Sequence, residues 1–281
     1  MKYPAHIRAY KDLWSTFKRQ KREIKEYLKS YVPNHPELFA QLKGFKDRYK
    51  GKRCFVIATG PSLTIEDVLK LKNEVTFTMN SGYKLISNGF NPSYYFITDG
   101  NSYKNIKHDL DNYDLPPVFY NEKDIIWENR HLAYPLPVKV SVVLSRWQWH
   151  KLPYFLNRKI MSDDISKSVT MGDTVVTVIL QVCIYMGFSD IYLIGTDCSF
   201  HGQQKHSSFM KYDNEEQIYK KAFNSKNEMQ PSPDELYLRY MQDYRAVKKF
   251  ADKKGVKILN ATRGGMLEIF PRVNLDDLLD K

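Results

Sequence analysis

Four short runs of small and polar residues carry the chemistry this sequence offers. Each follows a stretch of β-branched and aromatic residues: Thr59-Gly60-Pro61-Ser62, Asn80-Ser81-Gly82, Asp99-Gly100-Asn101 and Gly195-Thr196-Asp197. A glycine directly after a strand lets backbone N–H groups approach a phosphate, and a helix start just beyond adds positive potential. Each run is also an ordinary turn composition. Their common place after a strand favours one shared ligand site, because open parallel sheets bind ligands beyond the carboxyl ends of their strands. Neither G-x-x-x-x-G-K-[ST] nor G-x-G-x-x-G occurs, so any phosphate is held by a shorter loop than in the two large nucleotide-binding groups.

Two further features belong with this set. Ser168-Val169-Thr170-Met171-Gly172-Asp173 reads as a small-polar loop feeding a helix, able to meet an anion or a ribose through Thr170 and Gly172, with Asp173 as the ordinary helix cap. His201 and His206 follow Asp197 closely and supply imidazoles that titrate near neutral pH, the property a general base or acid needs. Asp197 would instead orient a ligand hydroxyl or bind a metal. Two His and one Asp at this spacing are not a metal signature, so no metal site is expected.

The elements that must position these residues are legible from patterning. Strands are expected at Cys54–Ala58, Val75–Met79, Tyr94–Thr98, Val118–Tyr120, Lys139–Val143, Ile191–Ile194 and Val256–Leu259. Several are apolar on both faces, as parallel strands covered by helices are. Helices are expected at Thr64–Leu71, Thr174–Met186 and Pro233–Lys254, the last opened by the capping box Ser232-Pro233-Asp234-Glu235. This alternation predicts an α/β fold with a doubly wound, mostly parallel Rossmann-like sheet. An amphipathic helix over residues 5–31 precedes it, giving an N-terminal segment 1–50 and a nucleotide-binding α/β domain 51–281. The polar stretch 202–231 reads as a lid-like insertion.

Bulk properties narrow the partners. The chain has 281 residues and a formal charge of +11. Residues 1–30 hold nine Lys/Arg against three acidic residues, so more than half of the excess sits in this N-terminal stretch. The remainder is mildly basic, which suits an enzyme handling phosphorylated ligands. No zinc finger, RNA-recognition signature or aromatic-basic alternation points to nucleic acid. Three cysteines, no C-x-x-C and no apolar leader lead us to expect thiols in a cytoplasmic core. The basic helix packs on the main domain or another subunit, or rests peripherally on the inner face of a membrane.

Phe55-Val56-Ile57-Ala58-Thr59-Gly60-Pro61-Ser62-Leu63, Asn80, Tyr94-Tyr95-Phe96-Ile97-Thr98-Asp99, Ile191–Asp197 and Asn260-Ala261-Thr262-Arg263-Gly264-Gly265 together resemble the 6-hydroxymethylpterin diphosphokinase MptE-like family. The same frame is similar to the bacterial sialyltransferases of glycosyltransferase family 42, which use a CMP-activated sugar. The resemblance implies that Thr59, Gly60, Pro61 and Ser62 contact nucleotide phosphates. It implies that Asn80, Thr170 and Gly172 hold the nucleotide or sugar and that Asp197 lies under the transferred group; Asp99, from its place at a strand end, is expected among the nucleotide-binding residues. Two departures stand out. Thr59 replaces the Asn usual in the sialyltransferase loop, and Asn224–Asp234 lacks the expected catalytic His. The base is therefore expected from His201, His206 or Asp197, and sialic acid is disfavoured as the donor sugar.

The leading expectation is a metal-independent glycosyltransferase that uses a nucleotide-activated, CMP-type sugar in bacterial surface glycan synthesis. Its partners would be the nucleotide-sugar donor and a glycan or lipid-linked acceptor, with a homo-oligomer as the expected assembly. The alternative is a pyrophosphate transferase acting on hydroxymethyl-pterin, with Mg²⁺ held by Asp99 and Asp197. A nucleotide-binding module without turnover is the third reading.

Overall fold

A computed structural model describes residues 36–140, 161–200, 206–212 and 232–279. The helix expected over 5–31 and most of the insertion 202–231 lie outside the described residues. Seven strands form one sheet: β1 Arg53–Ile57, β2 Thr76–Met79, β3 Tyr94–Ile97, β4 Val118–Asn121, β5 Ala133–Leu136, β8 Asp190–Ile194 and β9 Lys257–Asn260. All neighbours pair parallel, in the order β5-β4-β3-β2-β1-β8-β9. The chain winds outward from β1 to β5, then returns to place β8 on the other side of β1. Strand order therefore reverses between β1 and β8, and the fold is the expected doubly wound α/β architecture.

The β1 sequence explains its central position. Cys54, Val56 and Ala58 join one core while Phe55 and Ile57 join the other, so both faces are apolar and both are covered. On the first face lies α3 Val175–Tyr185, every residue of which is buried, together with α4 Pro233–Lys253. On the opposite side, α1 Ile65–Leu69 and α5 Leu275–Leu279 pack near β1 and β8, and α2 Gly100–Leu110 packs near β3. The three cysteines are free and buried, as small core residues. Among the described residues no helix is long and apolar enough to cross a membrane.

Some elements differ from the sequence reading. The 3₁₀ helix Pro36–Phe45 buries Phe39, Leu42 and Phe45 at three-residue spacing, the period at which 3₁₀ side chains align. Phe45 meets Phe119 and Tyr134 edge-on, so this segment shares the core of the domain that follows it. The strand expected at Lys139–Val143 appears as β6 Val138–Val140 and leaves the main sheet to pair with β7 Val169–Met171. Residues 168–173 are thus not all loop. β5 contains Pro135, which hid it; at the sheet edge a proline's missing N–H is tolerated.

Gln181 shows why β7 is a strand despite its small polar residues. Its side chain accepts the Thr170 N–H at 3.0 Å and donates to Thr170 O at 2.8 Å and Thr177 O at 3.0 Å. An amide inside α3 thus replaces the missing ladder on the second side of β7. Substituting Gln181→Leu removes the side-chain bonds that meet the buried Thr170 N–H and carbonyl. The expected cost is about 2–4 kcal/mol, read as a lower urea midpoint with an unchanged denaturant slope.

Candidate functional site

The loops that follow β1 and β8 meet at the switch point and are tied to each other. Gly60 N–H donates to Gly195 O at 2.8 Å. The Asp197 carboxylate accepts the Ser62 N–H at 3.3 Å and the Ser62 hydroxyl at 2.9 Å. Two glycines allow this closeness. A side chain at Gly60 would overlap the Asp197 carboxylate and the Gly195 carbonyl. Gly265, at φ +74°, leaves no room for a Cβ, which would lie 2.6 Å from Asp197 O and 2.7 Å from its Cα. The Asn260–Gly265 segment runs alongside: the Thr196 N–H donates to Thr262 Oγ1, and the Met266 N–H to Asp197 O.

This arrangement redistributes the roles read from the sequence. Thr59, Gly60, Pro61 and Ser62 stand at the switch point as expected, but the Ser62 donors already serve an internal carboxylate. The helix behind the loop is a single turn with Glu66 and Asp67 in it, so it adds little positive potential. Arg263 clamps Asp67 with two bonds, at 2.7 and 2.8 Å, and also reaches Asp276.

Asn80 ends β2 in the left-handed region at φ 51°, held by the Tyr95 hydroxyl donating to its carbonyl at 2.6 Å. Rather than a simple turn, it opens the 3₁₀ helix Asn80–Asn88. Asp99 caps α2, accepting the Ser102 N–H at 2.6 Å. Thr170 lies in β7, and Gly172 follows it toward α3. Thr174, not Asp173, caps α3, by accepting the Val176 N–H. The Asp173 N–H instead donates to Asp243, a fully buried carboxylate on α4 that the sequence reading missed. No spacing signal announces Asp243; it reads as one polar residue in an amphipathic helix.

The segment that carries His206 is tied to the β1 loop through Ser207, while His201 lies outside the described residues. The Ser207 N–H donates to Thr59 O at 2.9 Å, and Met210 is buried in the core beneath β1 and β8. Lys84 Nζ holds Lys211 O at 2.6 Å. This short strap thus spans the β1 loop and the Asn80–Asn88 helix, with the His206 ring edge-on to Tyr212.

Five buried side-chain oxygens along this edge lack a hydrogen-bond partner among the described residues: Asn80 Oδ1, Ser81 Oγ, Thr98 Oγ1, Thr196 Oγ1 and Ser207 Oγ. Such groups are costly unless something polar meets them, and they cluster where the fold places ligands. Asp99 and Asp197 end strands three steps apart, about 14 Å at ordinary strand spacing. That is too far for both to ligate one Mg²⁺, which holds its oxygens at about 2 Å. Among the described residues no three His, Cys, Asp or Glu side chains gather as a metal site.

The model of the family described as 6-hydroxymethylpterin diphosphokinase MptE-like matches residues 29–203. No curated protein matches the chain. Among solved structures the chain is distantly similar to the MAf glycosyltransferase from Magnetospirillum magneticum AMB-1, with 12% identity and a TM-score of 0.46 over 86% of this chain. It spans 38% of the length of that protein. It is also similar to the sialyltransferase CstII from Campylobacter jejuni in complex with CMP-3FNeuAc, with 16% identity and a TM-score of 0.45. That match covers 79% of this chain and 86% of CstII.

Two outcomes follow from the Asp197 geometry. Gly60→Ala should cost about 1–3 kcal/mol in urea unfolding, since neither the carboxylate nor the Gly195 carbonyl can yield cheaply. Burial raises the Asp197 carboxyl pKa above the usual carboxylate range, with the Ser62 hydrogen bonds pulling the other way. The folded protein therefore holds this proton more tightly than the unfolded chain does. The group's stabilising contribution is full below the unfolded pKa and is lost as pH rises through the folded one. Urea titrations of wild type and Asp197→Asn should show the wild type gaining relative stability as pH falls through the weakly acidic range. A difference independent of pH contradicts this assignment.

Proposed function

The chain belongs to the 6-hydroxymethylpterin diphosphokinase MptE-like family, and from that membership together with the polar residues gathered at the β1–β8 switch point we propose a transferase acting on a nucleotide-activated substrate. The observation that carries this reading is the row of five buried oxygens without a partner among the described residues, at the ends of β2, β3 and β8 and in the strap. A nucleotide with its ribose and sugar hydroxyls has the mixed donors and acceptors such a row would meet.

The reading favoured is transfer of a sugar from a nucleotide donor, a CMP-sugar being the first candidate. The motifs that resemble family 42 sialyltransferases gather on one sheet edge, which supports this order of preference. In this reading Asp197 holds the β1 loop through Ser62 and offers its remaining lone pairs to a ligand hydroxyl. Phosphate then lies toward the Thr59 end of the loop, where Ser62 is not required. His206, the residue before the Ser207 N–H that bonds Thr59 O, takes the proton from the acceptor hydroxyl. The acceptor is a glycan or lipid-linked glycan, and the basic segment 5–31 would bring the enzyme to the inner membrane surface.

The second reading, pyrophosphate transfer from ATP to a hydroxymethyl-pterin, draws its support from the family description. Asp99 and Asp197 do not fit as joint ligands of the Mg²⁺ that this reaction would use: one caps α2, the other holds Ser62.

A thermal-shift panel of CMP, CDP, UDP, GDP and ATP, each with and without Mg²⁺, separates these. Glycosyl transfer predicts stabilisation by cytidine nucleotides in the absence of metal. Stabilisation by ATP alone, and only with Mg²⁺, would overturn it in favour of the second reading.

A further inference from the structure

Helix α4 emerges from the insertion and carries two adjacent buried side chains back to the ligand edge. Asp243 has no exposed surface, and its carboxylate accepts the Asp173 N–H. Tyr244, also buried, faces Thr174, the cap of α3, and Cys198, the residue after Asp197. Phe200, two residues further on, meets the Tyr240 ring edge-on at 4.8 Å. One face of α4 thus touches both loops that the nucleotide reading assigns to the donor.

Met241, Val247 and Ala251 of this helix lie in the main core, and Arg239, bonded to Glu235 and 11% exposed, stands one turn before Asp243. A carboxylate placed among such neighbours is costly unless it is hydrogen-bonded, so its hold on the β7–α3 loop is a specific one. Gly172 shows how tightly the loop is shaped around it. A Cβ there would lie 2.6 Å from Asp243 Oδ2 and 2.6 Å from Thr177 Oγ1, a fully buried hydroxyl without a partner among the described residues. Any side chain at 172 would push the loop off both. Gln181 fixes the same loop from its other end, at Thr170.

We propose that Asp243 is a positioning residue, whose carboxylate fixes Gly172–Thr174 in the shape that presents this loop, beside the Asp197 loop, to the nucleotide. This rests on the nucleotide-transferase reading. It makes α4 the element that sets the two loops relative to each other.

The full chain tests this as wild type, Asp243→Asn, Asp243→Ala and Gly172→Ala, all below the onset of melting. Two measurements are made: hydrogen exchange of the peptide covering 169–175, and the affinity for CMP by calorimetry. In Asp243→Ala we expect exchange at 172–174 to rise and CMP affinity to fall, each by about tenfold, the worth of one buried hydrogen bond. Asp243→Asn, whose amide oxygen still accepts the Asp173 N–H, should recover both to within about threefold. Gly172→Ala, which displaces the loop from the opposite side, should match the Asp243→Ala loss. The proposal is overturned if Asp243→Ala exchanges and binds like wild type, or if Asp243→Asn does no better than Asp243→Ala. Should Asp243→Ala fail to fold, wild-type affinity in Gly172→Ala overturns it equally. If wild type binds neither CMP nor any nucleotide of the panel, the transferase reading fails, while the exchange measurement still decides whether Asp243 orders the loop.

Discussion

The hydrogen bonds between the Asp197 carboxylate and Ser62 join the two strands at which the sheet reverses its order. Everything near the candidate site is arranged to let that carboxylate reach across. Gly60 and Gly265 clear its two sides, Gly195 turns the chain toward it, and Thr262 and Met266 hold its backbone in place. The cost of burying the carboxyl is visible in its raised pKa, which the Ser62 donors offset only in part. A loop that looks like an open phosphate cradle in sequence is therefore a closed joint, with an acid already seated at its Ser62 end.

The same device recurs along the sheet edge. Asp99 satisfies the first turn of α2, and Asp243 satisfies the loop before α3. Three loops are ordered by internal carboxylates, so their shapes do not wait for a ligand. The interaction capacity left over is carried mainly by hydroxyls and one amide oxygen: Ser81, Thr98, Thr196, Ser207 and Asn80.

Much of the architecture was readable from local pattern. β1 and β8 announce themselves by the apolar runs Cys54–Ile57 and Ile191–Ile194, and α4 by Ser232, Pro233 and Glu235 at its start, where Ser232 does accept the Glu235 N–H. What escaped reading has identifiable causes. β5 holds a proline, and α2 begins at an Asp-Gly-Asn run that equally spells a turn. β7 is a strand only because a glutamine eleven residues later completes its hydrogen bonding. Phe39, Leu42 and Phe45 follow a three-residue period that helix and strand templates both overlook.

Sequence alone determined the doubly wound sheet, the order of its loops and the residues on them, because alternating burial and turn chemistry are local properties of a chain. Thr59–Ser62, Asn80, Asp99 and Gly195–Asp197 were identified in this way. Which of their donors are taken and which remain was decided only in three dimensions. The partners of Ser62 and Asp173 are 135 and 70 residues away, and no local pattern encodes a contact at that separation. Asp243 and the His206 strap belong to this second class: the chemistry of each is ordinary in sequence and acquires meaning only from what the fold sets beside it.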